Sequence, residues 1–260
     1  MTVGIISGSG TYEWPANDTR EPETRRTEYG EVTVTRGRVA EVDIVHLSRH
    51  GSGHLRLSNH VDHRANLAGL LDAGIDCLIS TTVCGSVDPA VAPGSLVVFD
   101  DLHFPSNRLP DGSICTWHTQ PGQEGRGHWI FDSPFSDTMR GALLEASDAV
   151  GLTPVVGCYG HVDGPRFNTR SEIAALAAFG VTAVSQTAGP EVVLAGEVGL
   201  PMALIGYVTD FANGISAITE PVDALLERMR ESTSILSGLI AATLPLIDGP
   251  RAPGIVHRFG

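Results

Sequence analysis

A chain of 260 residues with 42% hydrophobic and 18% charged side chains has the composition of a globular α/β protein with enough apolar material for a large core. Its formal charge of −13 at pH 7 and pI near 5.1 argue against nucleic acid or an anionic membrane as partner, because both need a basic face. Small molecules are the expected partners. The opening residues carry no cationic head with an apolar run and cleavage site, and no apolar run approaches the ~18 residues of a spanning helix, so a cytoplasmic location is expected. Cys77, Cys84, Cys115 and Cys158 are scattered without a C-x-x-C pair. They read as buried thiols rather than a zinc site or disulfide framework.

Residues 2–6 predict a strand that runs into Ser7-Gly8-Ser9-Gly10-Thr11, small residues whose backbone can press against an anion. The dinucleotide fingerprint fails here, since Gly8-x-Gly10 is followed by Glu13 where the third glycine belongs. The expected anion is therefore not a pyrophosphate. Further strands are predicted over 31–36, 42–47, 76–81, 95–99, 155–161, 181–185 and 202–208.

Helical patterns alternate with these strands, the rhythm of a mainly parallel sheet covered by helices. The first starts at Ser58 as N-cap, carries Val61, Ala65, Leu67, Leu70 and Leu71 inward and ends near Gly74. The second spans 136–150 and stops at Gly151, and a Thr169-x-x-Glu172 capping box opens a third that Gly180 closes. A fourth covers 189–198 with Pro190 in its first turn, and the last covers about 221–244. The stretch 104–127, rich in Pro, Gly and polar residues, predicts a long excursion over a site or onto a neighbour. There is no internal repeat or linker. A single domain is expected over 1–248, with 249–260 an irregular C-terminal tail.

Three further segments supply anion ligands, each placed like Ser9 just after a strand. Ser48-Arg49-His50-Gly51 offers an arginine fork for two phosphate oxygens and a histidine as a further donor. Thr81-Thr82-Val83-Cys84-Gly85-Ser86 offers hydroxyls and backbone N–H groups in a glycine-containing turn. Ser185-Gln186-Thr187 precedes a helix N-terminus. Each alone has an ordinary structural explanation as a turn or a surface pair. Their coincidence at strand ends, where ligands bind in open α/β sheets, points to one shared anion.

Six motifs then occur in the order of a known family: Gly-Ile-Ile-Ser-Gly-Ser-Gly at 4–10, Ser-Arg-His-Gly at 48–51, Thr-Thr-Val-Cys-Gly-Ser at 81–86, Gly-Pro-Arg-Phe-Asn-Thr-Arg at 164–170, Gln-Thr-Ala-Gly-Pro-Glu-Val-Val-Leu-Ala at 186–195 and Val-Thr-Asp at 208–210. The chain resembles the trimeric purine nucleoside phosphorylases, most closely their S-methyl-5′-thioadenosine phosphorylase branch. The resemblance implies an α/β fold, a single domain with a mixed, partly barrel-like sheet flanked by helices, assembled as a homotrimer. It implies a pentosyltransferase that uses orthophosphate as co-substrate and needs no metal or other cofactor. By the same resemblance Ser9, Arg49, His50, Thr82, the Val83 backbone and Thr187 hold phosphate. Asp210 serves the purine near N7, Phe167 packs on the base, Gln186 lies under the ribose and His128 reaches a neighbouring subunit's 5′ pocket. The place of Asp210 after the apolar run 202–208 predicts burial that favours its neutral form.

Base choice turns on departures from the family pattern. Asp210 favours a 6-aminopurine, but Ala212 stands where methylthioadenosine phosphorylases carry a second Asp, and Asn168 replaces a small Ser or Thr. The main expectation is cleavage of 5′-methylthioadenosine to adenine and 5-methylthioribose 1-phosphate. A 6-oxopurine nucleoside or an adenosine with another 5′ substituent stays open, as do a nucleosidase and a non-catalytic nucleoside-binding protein.

Overall fold

The computed structural model describes residues 1–9, 11, 12, 14, 21–217 and 221–259. Gly10 and Glu13, on which the reading of the opening loop partly rested, lie outside them. In chain order the elements are β1 (Thr2–Ser7), β2 (Glu23–Thr27), β3 (Gly30–Val39), β4 (Val42–Ser48), α1 (His63–Asp72), β5 (Cys77–Ser86), β6 (Leu96–His103) and β7 (Gly127–Ile130). Then follow α2 (Asp137–Ala149), β8 (Val155–His161), α3 (Arg170–Ala178), β9 (Val181–Ser185), α4 (Ala188–Val198), β10 (Met202–Phe211), α5 (Val222–Thr243) and β11 (Ile255–Arg258). Among the described residues no helix is long and apolar enough to cross a membrane.

The main sheet runs β10-β6-β8-β9-β5-β1-β4-β3-β2, and an additional β10–β5 pairing closes five of its strands into a ring. The sheet is mixed: β1 pairs parallel with β4 and β5, and β10 with β5, whereas β9 meets β5 antiparallel. Period-two alternation sends successive strand residues into opposite cores. On one face Val3, Ile5, Ala203 and Ile205 pack against Met139 and Leu143 of α2 and Leu236 and Ile240 of α5. On the other, Ile6, Met202, Leu204 and Val208 pack with Leu67 and Leu70 of α1 and Val192 and Ala195 of α4. Cys77, Cys84 and Cys115 are buried free thiols, and Cys158 is half-buried.

Several expectations need correction. Helix α1 is capped by Asp62, whose carboxylate accepts from Ala65 N at 3.0 Å; Ser58 opens a short 3-10 turn instead, and its hydroxyl is drawn to Gln186 at 2.9 Å. The Ser136 cap and the Thr169/Glu172 capping box form as expected. The segment 82–86 is not a turn: β5 continues to Ser86 because β10 pairs with it along its length. The tail is not irregular throughout. Ile255–Arg258 pairs antiparallel with Gly127–Ile130, and Trp129 Nε1 donates to the Pro253 carbonyl at 2.9 Å. Four residues are too few for alternation to announce a strand, and the partner edge exists only after folding.

Candidate active site

The ends of β1, β4, β5, β9 and β10 meet at a cavity of about 300 Å³. Its floor is lined by Ser9, Arg49, His50, Thr82, Val83 and Thr187, the six residues expected to meet the anion. Phe167, Asn168, Gln186, Asp210 and Ala212 line the rest, so four remote segments do converge. His128 is the exception. It is exposed on β7, lies edge-on to Phe259 at 5.3 Å and borders a separate hollow with Asn107 and Cys115.

Arg49 does not offer the open two-toothed fork expected of it. Its side chain is 1% exposed, and Glu191 from the first turn of α4 grips it twice, Nε to Oε1 at 2.5 Å and Nη2 to Oε2 at 2.9 Å. Nη2 also donates to Ser80 Oγ at 2.7 Å and Nη1 to the Thr81 carbonyl at 3.0 Å. A guanidinium has five N–H groups, so these four bonds leave one, on Nη1. Gly8 gives that nitrogen room, since a Cβ there would stand 2.9 Å from Nη1. Burial pulls the Arg49 pKa down, but the charge of Glu191 and the hydrogen bonds Arg49 donates to it outweigh burial and leave that pKa raised above its ordinary value.

His50 is buried, and its Nδ1 lies 2.7 Å from the Arg56 carbonyl. Burial, with the Arg49 charge adding, pushes its pKa down to about 4, so the ring is neutral at physiological pH. Its plane is held by stacking on His54, with centroids 4.1 Å apart. Thr82 Oγ1 lies 2.8 Å from Ser185 Oγ, and Ser185 Oγ lies 2.6 Å from the buried Tyr159 hydroxyl.

Above the floor, Gln186 is tied at both ends of its amide, accepting from Ser58 Oγ and donating to the Arg166 carbonyl at 3.0 Å. That pins the loop carrying Phe167, which is 64% exposed at the rim. Asp210 is half-buried rather than buried, because β10 ends at the cavity mouth, and it accepts from Thr209 Oγ1 at 2.8 Å. Ala212 is buried beside Gly85. Leu57, Leu225 and Met229 add an apolar wall. Sequence reasoning placed Leu225 and Met229 on the apolar stripe of the last helix but missed Leu57 and the role of Glu191. The lone Glu191 in an apolar run was the available signal.

A family model described as the phosphorylase superfamily matches residues 2–245. The chain is 33% identical over 253 residues to a 6-oxopurine nucleoside phosphorylase of Pyrococcus furiosus, covering 97% of this chain and 95% of the relative. It is 31% identical to S-methyl-5′-thioadenosine phosphorylase of Danio rerio over 95% of this chain and 89% of that protein. A methylthioadenosine phosphorylase from Schistosoma mansoni, solved with adenine, superposes with a TM-score of 0.85 at 31% identity, covering 95% of this chain and 91% of that one. With its closed mixed sheet, its strand-end cavity and these likenesses along nearly its whole length, the chain belongs to the phosphorylase superfamily.

Proposed function

We propose that this cavity catalyses phosphate-dependent cleavage of the N-glycosidic bond of a purine nucleoside, with 5′-methylthioadenosine as the preferred substrate. The observation that carries the reading is the gathering of Ser9, Arg49, Thr82, Val83 and Thr187 on the floor of a cleft whose upper part holds Phe167, Asp210 and an apolar wall. Orthophosphate on the floor sits beneath the sugar. One of its oxygens forms the bond to C1′ as the C1′–N9 bond breaks, and the electron pair leaves with the purine. The transition state is oxocarbenium-like, so the phosphate both attacks and balances the developing positive charge. Asp210, protonated, donates to N7 so that the base does not depart as an anion. Phe167 covers the purine, and Gln186 lies under the ribose.

The apolar side chains of Leu57, Leu225 and Met229 favour a thioether over a hydroxyl at the 5′ position, since burying an unpaired hydroxyl there costs free energy. The products are then adenine and 5-methylthioribose 1-phosphate. A second reading, a 6-oxopurine nucleoside, is favoured by Ala212, which puts no second carboxylate opposite the exocyclic position, and by relatives that carry that name. The working unit we propose is a cytoplasmic homotrimer in which His128 completes a neighbour's 5′ pocket. Orthophosphate is the co-substrate.

The test is incubation of methylthioadenosine, adenosine, inosine and methylthioinosine with and without phosphate, following free base and sugar 1-phosphate. Strict phosphate dependence with methylthioadenosine fastest is expected. Equal cleavage in phosphate-free buffer would overturn the phosphorylase reading in favour of a nucleosidase, and no cleavage at all would favour a binding protein.

A further inference from the structure

The cavity is lined by hydrogen-bond donors and, at His50, by an acceptor. The donors are backed by a chain of buried hydroxyls. Ala188 N donates to the Tyr159 hydroxyl oxygen at 3.1 Å, and that hydroxyl lies 2.6 Å from Ser185 Oγ. Ser185 Oγ in turn lies 2.8 Å from Thr82 Oγ1, whose proton can go to the Val83 carbonyl at 3.0 Å or to a ligand on the floor. The remaining Arg49 N–H is likewise a donor only.

The acceptor is His50. The Arg56 carbonyl can only accept, so His50 Nδ1 carries the ring proton, and in a neutral imidazole Nε2 is then a lone pair. The backbone reinforces that tautomer: Arg56 N donates to the His50 carbonyl at 2.9 Å, closing the 50–56 turn in both directions. Turning the ring over would lose the Arg56 bond and the aligned stack on His54, which Tyr12 holds from behind at 3.2 Å. Of the charged groups that act on the ring, Arg49 disfavours its protonation and the paired Glu191 offsets this only in part, while Arg56 meets it through its backbone.

We propose that His50 accepts, rather than donates, a hydrogen bond from the co-substrate, so that the site recognises an oxyanion bearing one protonated oxygen. Hydrogen phosphate fits: its O–H faces His50 Nε2 and its unprotonated oxygens face Thr82, Arg49 and C1′. Sulfate, with the same shape and the same double negative charge but no proton, puts an oxygen lone pair against the imidazole lone pair. The inference rests on the phosphorylase reading above, and it adds a rule for which oxyanions enter and which of the phosphate oxygens stays turned away from the sugar.

The experiment uses the full-length protein at pH 8, where phosphate is mainly the dianion, with the best-cleaved nucleoside, varied phosphate and sulfate as competitor. Phosphate-independent cleavage would count against the phosphorylase reading itself. Given phosphate dependence, the sulfate inhibition constant is expected to lie at least about tenfold above the phosphate KM, because a site built for one hydrogen bond rejects the analogue that cannot make it. In His50→Gln the amide can turn either its N–H or its carbonyl to the anion, so the ratio should fall toward one. Sulfate matching phosphate in the native protein, or an undiminished ratio in His50→Gln, overturns the proposal. If the variant turns over too slowly, phosphate- and sulfate-induced shifts in its melting temperature give the same ratio, and if it does not fold, those shifts in the native protein decide.

Discussion

Glu191 meets Arg49 with both carboxylate oxygens along one edge of its guanidinium, at 2.5 and 2.9 Å, with each side chain at most 1% exposed. The pair fixes one residue of the cavity floor through a helix that begins at another, since Thr187 is the N-cap residue of α4. Removing one partner of a buried pair leaves the other charge without compensation. Glu191→Leu should therefore cost about 3–5 kcal/mol in chemical denaturation. Arg49→Met combined with Glu191→Leu should recover most of that stability while losing phosphate-dependent turnover. Additive losses in the double variant would show that the two residues are not coupled.

Phosphate and nucleoside affinities should separate at two glycines. A Cβ at residue 8 would stand 2.9 Å from Arg49 Nη1 and 3.2 Å from the Thr81 carbonyl, and Glu191 prevents the arginine from yielding. Gly8→Ala should raise the phosphate KM by an amount equivalent to about 1–3 kcal/mol and change the nucleoside KM less. At residue 164 a Cβ would collide with both Ser58 Oγ and Gln186 Oε1. Gly164→Ala should do the reverse, raising the nucleoside KM, and steady-state kinetics with each substrate varied in turn distinguishes the two.

Asp210→Asn should shift preference toward 6-oxopurine nucleosides, because an amide can donate to O6 whereas a carboxylate pairs with the 6-amino group. The ratio of kcat/KM for methylthioadenosine and methylthioinosine measures it. An unchanged ratio would remove Asp210 from base recognition.

Acid should destabilise the protein through its buried histidines. Burial holds His63 and His161 down to about 3 and His46 to about 4, against an ordinary value of 6.5. Between those values the unfolded chain binds more protons than the folded one. Their contribution is complete above about pH 6.5 and is lost as the pH falls toward 4 and then 3. Each site steepens the loss by up to about 1.4 kcal/mol per pH unit. His63, whose ring nitrogens have no hydrogen-bond partner among the described residues and whose Nδ1 lies 3.9 Å from Glu191 Oε1, provides the test. His63→Leu should flatten stability against pH below 6.5, as measured by denaturant unfolding at a series of pH values, and an unaltered slope would rule His63 out.

Much of the fold is legible in the chain because its signals are local. The apolar run 202–208 lies within β10, Ser136 and Thr169 cap α2 and α3 through their own side chains, and the residues after four strands reach one cavity because strand ends share a rim. Ser58 misleads because its hydroxyl has a distant competitor in Gln186, which no local pattern reports. Strands β7 and β11 escape because each needs the other, across more than a hundred residues, to satisfy its backbone.

The amino-acid sequence alone brings out the segments that line the cavity, because each follows a predicted strand and strand ends share a rim, and the missing third glycine argues against a pyrophosphate as the anion. The sequence does not determine what those segments have left to give. Arg49 looks like an open fork until Glu191, 142 positions away, takes two of its five N–H groups, and His50 looks like a donor until the Arg56 carbonyl claims its proton. Hydrogen-bond capacity is finite and is shared out among partners that only tertiary packing brings together.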